Sequence, residues 1–249
     1  MRFSILAISF LYPLLFALIN LPQSSVHGVD PLSYVCSSPD YSPNDAFASN
    51  MNQLFTSLFS TVPNSGYGGE SLGQNSDRVH GLALCTSDVR DQRCKTCLED
   101  AGREIRKRCP SNKRAIIWYD DCMLKYSNKK FFGSFDRHNK FYQCNPKKVC
   151  LHHRYDFTIA RLVLLDLLMT GTRNNGNLYA SHSVEIRSDS NDRIYGFSQC
   201  TRDISIDKCL TCLGRISSRL RHACFRRTGG KYLSGSCMVR YESYPFAYS

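Results

Sequence analysis

Five cysteines of this chain occur twice at one constant displacement. Cys85, Cys94, Cys97, Cys109 and Cys122 return as Cys200, Cys209, Cys212, Cys224 and Cys237, each 115 residues further on. Other side chains keep the same step. Asp77-Arg78-Val79-x-Gly81-Leu82-x-x-Cys85-Thr86 matches Asp192-Arg193-Ile194-x-Gly196-Phe197-x-x-Cys200-Thr201, and Cys122-Met123 with Tyr126 matches Cys237-Met238 with Tyr241. Equal spacing at so many positions identifies two copies of one domain of about 105 residues, within the usual domain range.

Each copy repeats one order of periodic segments. Asn44 to Ser60 carries Phe47, Met51, Leu54 and Leu58 at helical spacing, with Ser42 or Asn44 available as N-cap. Its counterpart, Asp156 to Thr170, carries Phe157, Leu164 and Leu168 at a displacement of 110, so the second copy gains five residues before its Asp192. Short β-like runs follow around Arg78–Cys85 and Arg193–Cys200. A second helix is expected from each cysteine pair, because Leu98, Ala101 and Ile105 recur as Leu213, Ile216 and Leu220. Arg114–Tyr126 and Lys231–Tyr241 each read as two strands. Links this short between strands favour an α+β domain with an antiparallel sheet over a doubly wound one.

The first 28 residues read as an export signal. Arg2 precedes an uncharged run from Ile5 to Leu21, and the following polar segment ends at Val26-His27-Gly28. No later stretch is long and apolar enough to span a bilayer, which needs about 20 residues, and the C-terminal residues resemble neither a lipid-anchor nor a retention signal. The expected product is a secreted chain, and loss of Arg2 lowers its formal charge from +11 to +10. No N-x-S/T sequon is present.

Thirteen cysteines in an exported chain imply disulfides. The two C-x2-C pairs, Cys94/Cys97 and Cys209/Cys212, would also suit zinc. However, each copy has five repeated cysteines and at least one upstream candidate, giving the six that three bridges require. Six cysteines leave 15 connectivities open.

The C-x8-C-x2-C spacing, with Arg240-Tyr-Glu-x-Tyr-Pro-Phe246 near the end, resembles the plant ginkbilobin-homologous, stress-antifungal domain. Two such domains behind an export signal are similar to the cysteine-rich repeat secretory proteins, with domain 1 at 31–134 and domain 2 at 137–248. The resemblance implies, for each domain, two helices packed on a five-stranded antiparallel sheet. It also implies the bridges Cys85–Cys94, Cys97–Cys122, Cys200–Cys209, Cys212–Cys237 and Cys36–Cys109. Cys224 then takes either Cys144 or Cys150. Cys36 precedes Phe47 by 11 residues, whereas Cys144 and Cys150 precede Phe157 by 13 and 7. The 115 step, by contrast, lies closer to Cys150.

For function, the residues argue first against catalysis. No histidine recurs between the copies, and no nucleophile, phosphate-loop or zinc-protease motif occurs. His152, His153 and His182 read as solvent-facing loop residues, and no cofactor or metal is expected. The resemblance implies a mannose site made of an Asn after the first cysteine, an Arg six before the last and a Glu five after it. Domain 1 carries Ser37, Ile116 and Ser127 at those places. Domain 2 carries Lys231 and Glu242, with Asn145 completing the set if Cys144 is the structural cysteine and Leu151 standing there if Cys150 is. A lysine lacks the planar fork of arginine.

Charge gives a third reading. Arg103, Arg106, Lys107 and Arg108 follow the first cysteine pair, and Arg215, Arg219 and Arg221, then Arg226 and Arg227, follow the second. This reads as one basic helix face present twice, able to attract polyanions. Nucleic acid is not the expected partner, given export and the absence of an aromatic–basic RNA motif. The expectation is a secreted, non-enzymatic, disulfide-rich recognition or scaffold module of the apoplast, whose partner is a protein or a cell-wall polysaccharide. The alternative is a mannose-binding, antifungal lectin-like protein.

Overall fold

The repeat is reproduced in the hydrogen-bonded ladders. Gly81 faces Tyr126 and Cys85 faces Cys122, just as Gly196 faces Tyr241 and Cys200 faces Cys237. The structure, a computed structural model, describes residues 30–42, 44–187 and 192–246. The expected export signal, residues 1–28, lies outside them.

Domain 1 runs β1 (Ser33–Asp40), α1 (Ala46–Ser65), β2 (Tyr67–Leu72), β3 (Val79–Cys85), α2 (Asp91–Arg108), β4 (Asn112–Trp118) and β5 (Cys122–Ser127). Domain 2 runs β6 (Lys140–Cys144), α3 (Arg154–Asn174), β7 (Tyr179–Glu185), β8 (Arg193–Cys200), α4 (Ile206–Ala223), β9 (Gly230–Ser234) and β10 (Cys237–Glu242). The strand orders are β1-β4-β5-β3-β2 and β6-β9-β10-β8-β7, antiparallel throughout. Each domain is therefore the two-helix, five-stranded α+β unit that the resemblance implies.

The helices cover one face of each sheet. In domain 1 the alternate residues Val79, Ala83, Cys85, Ala115, Ile117, Cys122, Leu124 and Tyr126 join Phe47, Met51, Leu54, Leu98 and Ile105 in one core. Domain 2 repeats it with Ile194, Cys200, Tyr232, Cys237, Val239 and Tyr241 against Phe157, Leu164, Leu213 and Leu220. The repeated glycine has a packing cause. A Cβ at Gly81 would collide with the Leu54 side chain, and at Gly196 would lie 2.8 Å from Leu164. A larger residue would push the first helix off the sheet.

Helix ends depart from the sequence reading in detail. The N-cap of α1 is Asp45, not Ser42 or Asn44: its carboxylate accepts a hydrogen bond from the Ala48 amide at 2.9 Å. α2 and α4 start three residues before the cysteine pairs, at Asp91 and Ile206, and the latter is capped by Ser205. Pairing Tyr67 with Leu84 and Tyr179 with Gln199 displaces this strand by 112. Two of the five extra residues thus enter the α3–β7 turn, and three enter the β7–β8 hairpin.

The second faces of the two sheets meet each other. Leu82, Leu84, Ile116, Trp118 and Met123 of domain 1 form a separate apolar layer with Phe197, Leu233 and Met238 of domain 2. The Trp118 indole N–H donates to the Ser234 carbonyl across this junction (3.2 Å). Gln199, also buried, donates to the Cys85 carbonyl and accepts from the Ser87 amide. β3 and β5 are consequently buried on both faces along their whole length, which is why they do not alternate apolar with polar.

Candidate functional site

Six disulfides link the cysteines: Cys36–Cys109, Cys85–Cys94 and Cys97–Cys122 in domain 1, and Cys144–Cys224, Cys200–Cys209 and Cys212–Cys237 in domain 2. The short bridges tie the start of the second helix to β3 or β8 and to β5 or β10. The long ones tie the end of the same helix to the edge strand. Cys144 is the partner of Cys224 because β6 pairs with β9 in the register that places Cys144 opposite Gly230, as Cys36 lies opposite Ala115. Cys150, past the end of that strand, is a free and exposed thiol. This choice fixes Asn145 as the residue after the first cysteine of domain 2.

The mannose-type positions fall on the sheet faces turned towards the domain junction. Asn145 and Glu242 come together, with the Asn145 amide donating to Glu242 Oε2 at 3.0 Å. Lys231 is drawn elsewhere: its ammonium lies 2.6 Å from Asp120 of domain 1. Arg240 spans the gap, 3.5 Å from both Asp120 and Glu242. The three expected residues are thus two ends of a five-member polar chain, whose centre, Arg240 and Asp120, sequence reasoning missed. Arg240 stands in the quoted Arg240-Tyr-Glu segment, but Asp120 belongs to the other domain and no local signal marks it.

In domain 1 the corresponding Ser37, Ile116 and Ser127 line a groove shared with Lys125 and Asp136. Lys125 is the counterpart of Arg240 and pairs with Asp136 of the interdomain linker at 2.7 Å, with only 10% and 8% of the two side chains exposed. Burial pushes the Asp136 carboxyl up, but the Lys125 charge and hydrogen bonds from Lys125 and Asn139 outweigh it and hold the group below its ordinary range. In both domains the cation at this sheet position meets an aspartate from outside its own domain, Asp136 of the linker for Lys125 and Asp120 of domain 1 for Arg240.

The basic helices are not one face seen twice. On α2 the cations are interleaved with carboxylates, Arg103 with Asp100, and Lys107 and Arg108 with Glu104. On α4, Arg215 and Arg219 stand where Asp100 and Glu104 stand on α2, one 115-residue step away. Only Arg106 and Arg221 correspond. The two helices reverse charge at two aligned positions, and α4 carries one carboxylate, Asp207, where α2 carries four.

His182 lies exposed on β7 rather than in a loop, while His152 and His153 occupy the short helical turn before α3. Among the described residues no group of three His, Cys, Asp or Glu gathers as metal ligands, and no helix is long and apolar enough to cross a membrane.

Comparison with known proteins matches the chain twice to one family model, described as salt stress response/antifungal, at residues 35–129 and 143–244. The chain is 42% identical over 232 residues to an antimicrobial ginkbilobin-2-like protein of Castanea crenata, covering 93% of this chain and 95% of that one. It is 38% identical over 206 residues to cysteine-rich repeat secretory protein 38 of Arabidopsis thaliana, covering 83% and 81%. Among solved structures, the tandem DUF26 ectodomain of the Arabidopsis thaliana cysteine-rich receptor-like protein PDLP8 superposes with a TM-score of 0.75 at 24% identity, covering 86% of this chain and 98% of that one.

Proposed function

The chain belongs to the salt stress response/antifungal family of tandem-domain, cysteine-rich secreted proteins, and from that premise we propose that it works as a non-enzymatic recognition or scaffold module of the apoplast. Residues 1–28 are removed on export, and the working domains are 31–134 and 137–248. One observation carries the reading. The outward face of α3 presents Tyr155, Ile159, Leu162, Val163 and Leu167, of which Tyr155 is 77% exposed. At the displacement of 110 that aligns the cores, domain 1 has Asp45, Ser49, Asn52, Gln53 and Ser57. The fold therefore does not need apolar residues there.

With neighbouring Leu151, the face offers on the order of 600 Å² of apolar surface, near the size at which exposed patches become interaction sites and somewhat below the roughly 800 Å² per partner of a standard interface. A stripe of this kind is complementary to itself across a two-fold axis, so a second copy is its occupant. Sedimentation velocity on the oxidised mature protein tests this, in a Cys150→Ser background that prevents covalent pairing. Association should rise with concentration and disappear when Ile159→Ser, Leu162→Asn, Val163→Gln and Leu167→Ser install the domain 1 residues. The thermal transition should stay unchanged. A monomer at every concentration would overturn the homotypic scaffold.

The Asn145–Glu242 contact supports a second reading, mannose binding at the junction-facing end of domain 2. It requires Lys231 to leave Asp120. Mannan binding that strengthens in Asp120→Ala and vanishes in Glu242→Ala would support it; no binding by either Asp120→Ala or the parent chain would dismiss it.

A further inference from the structure

A shallow cleft on the other face of domain 2, between edge strand β6 and the last turns of α4, is lined by Lys140, Phe141, Tyr142, Arg219, His222, Ala223 and Tyr232. The Tyr142 ring lies nearly parallel to that of Tyr232 (15° between planes, centroids 5.9 Å apart) and is 54% exposed. Arg219 Nη1 approaches the Tyr232 hydroxyl at 3.5 Å. The lining holds two fixed cations and a histidine and no carboxylate.

In domain 1 the same place is partly covered by an arginine, and the equivalent ring, Tyr34, is 41% exposed. Strand register aligns Tyr142 with Tyr34 and Tyr232 with Ile117, and the 115-residue step aligns Arg219 with Glu104 and Ala223 with Arg108. There the Arg108 guanidinium sits over the Tyr34 ring, 5.1 Å from its centroid, and is itself held by Glu104 at 3.0 Å. The domain supplies its own cation to the aromatic face and its own carboxylate to the cation. In domain 2 the covering arginine has become an alanine, the carboxylate an arginine and the isoleucine a second tyrosine. The first change uncovers the aromatic face, the second puts a cation where domain 1 has a carboxylate, and the third widens the aromatic platform.

We propose that this cleft binds an acidic sugar, a hexuronate unit of a carboxylated polysaccharide. Its pyranose C–H face lies on Tyr142, where the negative face of the ring meets weakly positive hydrogens. Its carboxylate sits above Ala223, in the space that Arg108 fills in domain 1, and receives the Arg219 guanidinium, which can donate two parallel hydrogen bonds. Lys140 and His222 flank it. The site lies on the helix-covered side of the sheet, whereas Asn145, Lys231 and Glu242 serve the junction side, so the two ligand readings are independent. The proposal rests on the reading of the chain as an extracellular recognition module and names one thing that module recognises.

Calorimetric titration of the oxidised mature protein with a short oligogalacturonate tests it, with the fully methyl-esterified oligomer and dextran sulfate as controls. The acid oligomer should bind and the ester should not. Arg219→Glu, which installs the domain 1 residue, and Tyr142→Ala should each weaken binding about tenfold or more, while Tyr142→Phe retains it. Binding equal in all these variants, or dextran sulfate binding as tightly and with no dependence on Tyr142, would overturn the site in favour of diffuse charge attraction. No binding of the acid oligomer would overturn it as well. The α3 substitutions, measured in parallel, should leave uronate binding untouched, so failure of the scaffold reading and failure of this one are read separately. Thermal transitions of all variants report whether they fold.

Discussion

Single residues carry more than their type announces. Arg161 occupies the α3 position equivalent to Met51 of α1, yet only 4% of it is exposed; its guanidinium reaches the Cys224 carbonyl and the Tyr241 hydroxyl, each at 3.4 Å. A charge at that step interrupts an apolar stripe when read as sequence, although in space it continues the stripe through its hydrocarbon stem. Asp136 is the sharper case. It accepts hydrogen bonds from Asn139 and from the His138 amide, pairs with Lys125, and gives its own backbone N–H to Ser236 of domain 2. Asp136→Asn leaves a buried ammonium uncompensated and should cost about 3 kcal/mol at pH 7. Because the folded carboxyl titrates below its unfolded value, its contribution is fully present above about pH 4 and is lost as pH falls through the folded pKa. Urea midpoints of parent and variant should therefore converge as the pH falls below about 4; a gap that stayed constant would show that the pair is not electrostatic.

Among the elements, the second helix of each domain is the most constrained, since both of its ends are covalently tied. The bridges differ in reach. Cys36–Cys109 and Cys144–Cys224 span 73 and 80 residues, whereas Cys85–Cys94 and Cys200–Cys209 span 9. On loop-closure entropy a long bridge contributes about 4.5 kcal/mol and a short one about 2.5. Removing the long bridge of domain 2 by Cys144→Ser with Cys224→Ser should therefore lower its stability more than Cys200→Ser with Cys209→Ser. Denaturant unfolding of the two double variants makes the comparison, and equal losses would place the stabilisation elsewhere than in the unfolded chain. Strong reductant should unfold both domains. The helices were legible because their periodicity is intrinsic, and the inner strands because they are short apolar-rich runs between turn residues. Edge strands β1, β2, β6 and β7 were expected only through the family resemblance. They are partly exposed and rich in Ser and Tyr, so their pairing comes from the sheet they join.

At the scale of the molecule, the junction between the two sheets is the feature without any local sequence mark. Trp118, the only tryptophan, is 1% exposed there and hydrogen-bonded to Ser234 of the other domain. Its fluorescence is a direct report on the junction. Trp118→Ala should destabilise the chain by about 3–5 kcal/mol. In the parent chain, any condition that parts the domains before they unfold should shift the emission to the red while far-ultraviolet dichroism persists. Emission and dichroism changing together at every denaturant concentration would show instead that junction and domains melt as one unit. The same junction explains why Lys231 is not free beside Asn145 and Glu242: docking the sheets brings Asp120 to it.

The sequence by itself determined the export signal reading, the duplication and the α+β class, because hydrophobic periodicity and cysteine spacing are properties of a chain before it folds. Tertiary structure alone decided which upstream cysteine is structural, since strand register places Cys144, and not Cys150, beside Cys224. It also decided that the basic helices differ and that the sheets dock. Charges, rings and thiols count by their neighbours in space, and here those neighbours lie 73 to 116 residues apart in the chain.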